Sequence, residues 1–149
     1  MNYGPMLAPV VALVAWTLVM QIWMYLTRFP AMKRKGIDLK GRRGGRGAQL
    51  DGVLEDQVQW KAHNYNHLME QPTLFYAIAI SLALLGGGAW HLNVILAWAY
   101  VALRVVHSLI QATSNVVRWR FLVFSLASLA LLALTLHAGM ILLHVHTHG

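Results

Sequence analysis

The chain has 149 residues, of which 58% are hydrophobic and 11% charged, with twelve Lys and Arg against five Asp and Glu. A soluble globular domain carries about 25% charged residues, so this balance, with a mean hydropathy of +0.52, excludes an ordinary water-soluble fold. No cysteine is present, which excludes disulfides, thiolate metal sites and a cysteine nucleophile.

The first helix is predicted over 6–27; its apolar stretch, residues 6–26, is interrupted only by Thr17 and Gln21 and closes on Trp23, Tyr25 and Arg28, the aromatic and basic pattern of a helix leaving a bilayer. Without a basic segment before it or a small-residue cleavage site, it reads as a retained span rather than a signal peptide. Pro30 is expected to stop this helix. Residues 28–56 then form a flexible, glycine-rich loop carrying Lys33, Arg34, Lys35, Lys40, Arg42, Arg43 and Arg46.

The second helix is predicted over 57–85. Its first half mixes Trp60, Tyr65 and Leu68 with Lys61, His63, Asn64, Asn66 and His67, and only Pro72 to Leu85 is continuously apolar. Fourteen apolar residues are too few to cross, so the polar half must enter the bilayer on a protein-facing side, with a kink at Pro72, whose ring opposes the carbonyl of Leu68. Gly86, Gly87 and Gly88 turn the chain into a third helix over 89–111, and a fourth runs over 120–144. The expected fold is an all-α integral membrane bundle of four transmembrane helices in a single domain. The positive-inside rule places the basic loop, Arg118 and Arg120 in the cytoplasm and both termini on the other side. The basic loop is read chiefly as this topology signal, with contact to anionic headgroups as the sharper alternative.

Ionisable groups inside a span are costly and by default mark a site facing the bundle interior. On the third helix Tyr100, Arg104, His107 and Gln111 share one face, at i, i+4, i+7 and i+11. On the second, His63, Asn66 and Glu70 share a stripe. Arg104 is the one cation deep in the neighbouring helix, so a Glu70 to Arg104 pair is inferred, acting as a helix clamp or as part of a ligand pocket. The terminal run His144, His146 and His148 suits either a chelating extended tail or a solvated helix end, and HxxxH at His63 and His67 is a weak signal. No metal site is assigned.

The run from His63 to Ala77, with Arg104, His107, Asn115 and Arg118 and the four-span plan, resembles the MAPEG family, the membrane-associated proteins in eicosanoid and glutathione metabolism, and most closely its bacterial branch. The resemblance implies a homotrimer in a bacterial inner membrane, with glutathione held between subunits and a lipophilic substrate arriving from the bilayer for transferase, peroxidase or isomerase chemistry. It implies that Asn66, Arg104 and Arg28 contribute to the glutathione site and that Arg118 activates the thiol; Glu70, Gln111 and Lys61, polar groups beside those positions, are further candidate cofactor-binding residues. His107 is a candidate base near neutral pH. In this chain Met69 holds the family's glutamate place with Glu70 one later, Ala62 holds an arginine place, and His107 and Gln111 stand for tyrosines. The expected partners are lipid, further copies of the chain and a lipophilic small molecule, with no nucleic acid. A non-catalytic membrane subunit binding lipid or a larger complex is the reading from a different class.

Overall fold

In the computed structural model, which describes residues 3–41 and 43–148 and, for Ala89 and 145–148, the backbone alone, every regular element among the described residues is helical. Five α-helices follow one another: α1 (Gly4–Arg34), α2 (Asp56–Leu68), α3 (Gln71–Leu84), α4 (His91–Thr113) and α5 (Val117–His148), with 3-10 turns at Gly47–Leu50 and Gly87–Ala89. Three of them, α1, α4 and α5, are long and apolar enough to cross a membrane. Arg42 and the side chains of His146 and His148 lie outside the described residues; the backbone there is helical through His148.

Two expectations about helix ends are corrected. Pro30 does not stop α1, which continues to Arg34. The reason is tertiary: Ala31 and Met32 are buried against Leu54, with Ile37, Leu50 and Val58 packed around them, so burial of the last turn offsets the hydrogen bond that proline cannot make. The second helix is not one kinked rod. It ends at Leu68 and restarts at Gln71, with Glu70 between them at φ −93° and ψ −101°. Pro72 thereby falls in the first turn of α3, where its missing N–H is harmless. The Thr73 hydroxyl and amide both donate to the Glu70 carbonyl, at 2.7 and 3.1 Å, and hold that turn.

The core lies among α1, α3, α4 and α5, where Leu13, Met20, Phe75, Leu82, Tyr100 and Leu134 are fully buried. Alanines at 79, 83, 97, 127, 130 and 138 line the same core, and small residues let apolar helices approach closely where lipid supplies no hydrophobic drive to associate. The outer faces are apolar too: Val11, Leu18, Leu26, Leu84, Ile95, Leu129 and Leu143 are exposed, a surface suited to hydrocarbon and not to water. At the α3–α4 turn Gly86 has φ +81°, a conformation that glycine adopts without a Cβ penalty. Asn93, fully buried, donates to the Gly87 carbonyl at 2.8 Å, and His137 of α5 bonds the Asn93 amide oxygen at 2.7 Å. This ties the far end of the bundle together.

The basic loop is more ordered than its glycines suggest. Arg28 donates to the carbonyl of Gly47, and Asp51 accepts from Gln59 and pairs with His63 at 2.8 Å, so the loop is latched onto α1 and α2. These hydrogen bonds, that from His63 first, hold the Asp51 carboxyl below the ordinary carboxylate range. A depressed carboxyl stabilises the latch above its unfolded value of about 3.9, and that contribution is lost as pH falls through the lower folded value. Hydrogen-exchange protection of residues 47–54, corrected for intrinsic rate, is therefore expected to collapse below about pH 4. The Asp51→Ala variant should lack that protection already at neutral pH, and equal protection in the variant would show that the latch lies elsewhere.

Candidate functional site

The break between α2 and α3 leaves backbone groups without their helical partners, and in a membrane protein such groups must be satisfied by neighbouring side chains. Arg104 of α4 supplies one. Its guanidinium, wholly buried, donates from Nη2 to the His67 carbonyl in the last turn of α2 at 3.1 Å. A cation at the carboxyl end of a helix is also favoured by the helix dipole. One turn away along α4, Tyr100 donates to the Gln71 amide oxygen at 3.3 Å and stacks on Phe75 with ring centroids 4.4 Å apart. Gln71 in turn donates to the Ser128 hydroxyl at 2.8 Å, joining α5 to the same break.

The inferred Glu70 to Arg104 ion pair does not form directly. Glu70 accepts from His67 Nδ1 at 2.8 Å and stays largely exposed, while Arg104 holds the same residue by its backbone. Two-thirds of the Glu70 side chain remains accessible on the protomer, at 67%. His67 packs its ring 4.9 Å from that of His107 and 5.5 Å from Phe124. Phe124 also lies 5.7 Å from the Arg104 guanidinium carbon, a cation–π contact. A cavity of about 210 Å³ opens here, lined by His67, His107, Val117, Arg120, Phe121 and Phe124.

The buried polar atoms around this point outnumber their partners. Nε and Nη1 of Arg104, Nδ1 of His107, Oγ of Ser108, Oε1 of Gln111 and both amide atoms of Asn64 have no hydrogen-bond partner among the described residues. Nearly all buried polar atoms in folded proteins are paired, and these lie on α2 and α4.

Of the residues singled out from sequence, Glu70, Arg104 and His107 converge through His67, and Gln111 lies buried one turn beyond His107 on α4. The others lie apart from them. Asn66 is exposed on α2. Lys61 donates to the Gln57 carbonyl at 2.6 Å and sits 5.5 Å over Trp23. Arg28 lines a separate cavity of about 400 Å³ with Tyr25, Phe29, Met32 and the Gly44–Val53 segment. Arg118 is exposed and lies 5.9 Å over the Trp119 ring. The arginine that faces the cavity is Arg120, fixed by a hydrogen bond to Asn115, which occupies the left-handed region at φ 53° in the α4–α5 turn. Sequence reasoning missed His67 and Arg120 as site residues. The i, i+3 spacing of His67 and Glu70, and the asparagine at a helix end followed by an arginine five residues on, were the signals available.

The Arg104 contact makes a specific demand on stability. Arg104→Leu is expected to destabilise the protein by about 1.5–3 kcal/mol, the loss of a charge-assisted hydrogen bond to a carbonyl whose other donor, the Glu70 amide, is long at 3.4 Å, with the largest loss of hydrogen-exchange protection at residues 67–71. Arg104→Lys should recover part of it. Unchanged exchange at 67–71 in the leucine variant would show that the His67 carbonyl has another adequate donor.

No curated protein and no solved structure matches the chain. A family model does: the one described as the MAPEG family matches residues 6–140. Three apolar helices of spanning length, an inverted surface and a match over nearly the whole sequence lead to one conclusion, that the chain belongs to the MAPEG family of membrane proteins.

Proposed function

We propose that this protein is a homotrimeric membrane enzyme that binds glutathione, or a closely related anionic thiol, between subunits at the broken second helix and brings it to a lipophilic substrate. The observation that carries the reading is Arg104, a fully buried guanidinium with two nitrogens unpartnered among the described residues, beside the cavity lined by His67, His107 and Arg120. Glutathione offers two carboxylates, an ammonium and a thiol. Arg104 and Arg120 suit its anionic groups, and the amide oxygen of Gln111 accepts an N–H.

In this reading α2 and α3 stacked end on end, residues 56–84, supply the fourth span, and both termini face away from the cytoplasm. Association of copies is supported by the cost of leaving Glu70 facing hydrocarbon, several kcal/mol if it stayed charged. A neighbouring copy that covers Glu70 and Asn66 also brings an exposed Arg118 towards the ligand, where an arginine can hold the sulfur as its anion. Lys61 and Arg28, at the basic end of the bundle, assist by attraction of the anionic ligand. The Phe121 and Phe124 wall supports an apolar second substrate, since both rings line the same cavity.

Glutathione at 100 times its dissociation constant should raise the stability of the purified trimer by about 2.7 kcal/mol, read as a thermal shift. Conjugation of a generic electrophile should fall by about a hundredfold in Arg118→Ala. Failure of millimolar glutathione either to stabilise the protein or to support turnover would sink the glutathione reading. Undiminished function in Arg118→Ala, with a stoichiometric protein partner co-purifying, would instead identify a non-catalytic membrane subunit.

A further inference from the structure

We propose that His67, oriented by Glu70, is the proton acceptor of this site and takes the proton of the bound thiol; the proposal rests on the reading of the cavity as a thiol-binding site. The argument starts from ring chemistry. A carboxylate only accepts hydrogen bonds, so the 2.8 Å contact between Glu70 Oε2 and His67 Nδ1 is the geometry of a ring that carries its proton on Nδ1, the tautomer this proposal requires. The lone pair then resides on Nε2. The carboxylate fixes both the tautomer and the orientation of the imidazole, as in other base-orienter pairs.

The residue is held from a second side as well, because the Arg104 guanidinium anchors its carbonyl. His107, by contrast, is 2% exposed, and its Nδ1 has no partner among the described residues, so nothing orients it as a base. It packs against the His67 ring and is better placed to orient a ligand.

The charged and titratable groups around His67 come from every element packed on it. Glu70 lies beside it at the break with its carboxylate on the ring nitrogen. Arg104 and His107 from α4 and Arg120 from α5 oppose a second positive charge, yet the two arginines stabilise an anion formed beside the ring. The step balances without any further reagent. The S–H bond of the thiol breaks, the proton passes to His67 Nε2, the electron pair stays on sulfur, and the imidazolium is stabilised by the Glu70 carboxylate. Glu70 acts here as a positioning residue.

The test uses the intact trimer in nanodiscs with glutathione as the probe, and three readouts: thermal stabilisation, ultraviolet absorbance of the bound thiolate against pH, and nitrogen NMR of the histidine rings. The expected results are an Nδ1–H tautomer for His67 and glutathione binding that survives in His67→Asn with loss of the thiolate signal at neutral pH. Glu70→Gln should move thiolate formation to higher pH by about one unit, and Glu70→Asp should restore part of it. If His67→Asn does not fold, His67→Gln replaces it. Intact binding with an unchanged thiolate signal in the histidine variant overturns the proposal alone, as does an Nε2–H tautomer. Absence of glutathione binding by the wild type overturns the reading of the site and the proposal with it.

Discussion

The structure turns on one contact, the hydrogen bond from the buried Arg104 guanidinium to the carbonyl of His67. A helix interrupted inside an apolar bundle exposes backbone groups that lipid cannot satisfy. The break at Met69 and Glu70 is tolerated because α4 reaches across with a cation at the carboxyl end of α2 and with a phenol to the first residue of α3. The interruption is in turn what leaves room for Glu70 to face outward and for the His67 ring to stand beside a cavity. Closing the interruption while keeping the arginine would leave a buried cation with no helix end to cap.

α4 emerges as the spine of the fold. One end of it holds the glycine turn and α5 through Asn93 and His137, and its middle holds the α2–α3 break through Tyr100 and Arg104. Every polar side chain fully buried on this helix lies towards other helices, while Leu92, Ile95, Trp98, Val106 and Leu109 face outward. That division is what lets a helix with an arginine and a histidine in its interior remain apolar enough to span. The cost of burying those groups is offset by ties that fix the neighbouring helices in register.

Much of this was legible in the sequence. The face formed by Tyr100, Arg104, His107 and Gln111 follows from helical periodicity alone, and all four are buried together. The glycine turn and the half-polar character of the second helix were readable for the same reason, that local composition dictates them. Other features depend on contacts far apart in the chain. Pro30 lies inside a helix because Leu54 covers the turn after it. Glu70 bonds His67 in preference to Arg104 because the helix ends between them, an event whose exact position no periodicity reports. The choice between Arg118 and Arg120 as the cavity-facing cation depended on the rotation at which α5 starts, set by the left-handed Asn115. Two arginines spaced by two are indistinguishable until that angle is known.

Val117 and Phe121, which line the cavity, are themselves among the most exposed apolar residues of the chain, at 71% and 70%. The cavity therefore has an apolar flank at the start of α5, where that helix enters the bilayer. A molecule entering by that flank does so from a two-dimensional solvent, and its occupancy is governed by its mole fraction in lipid, not by its aqueous concentration. Saturation measured in detergent micelles would then vary with the amount of detergent at constant total ligand, because every added micelle dilutes the ligand that this flank encounters.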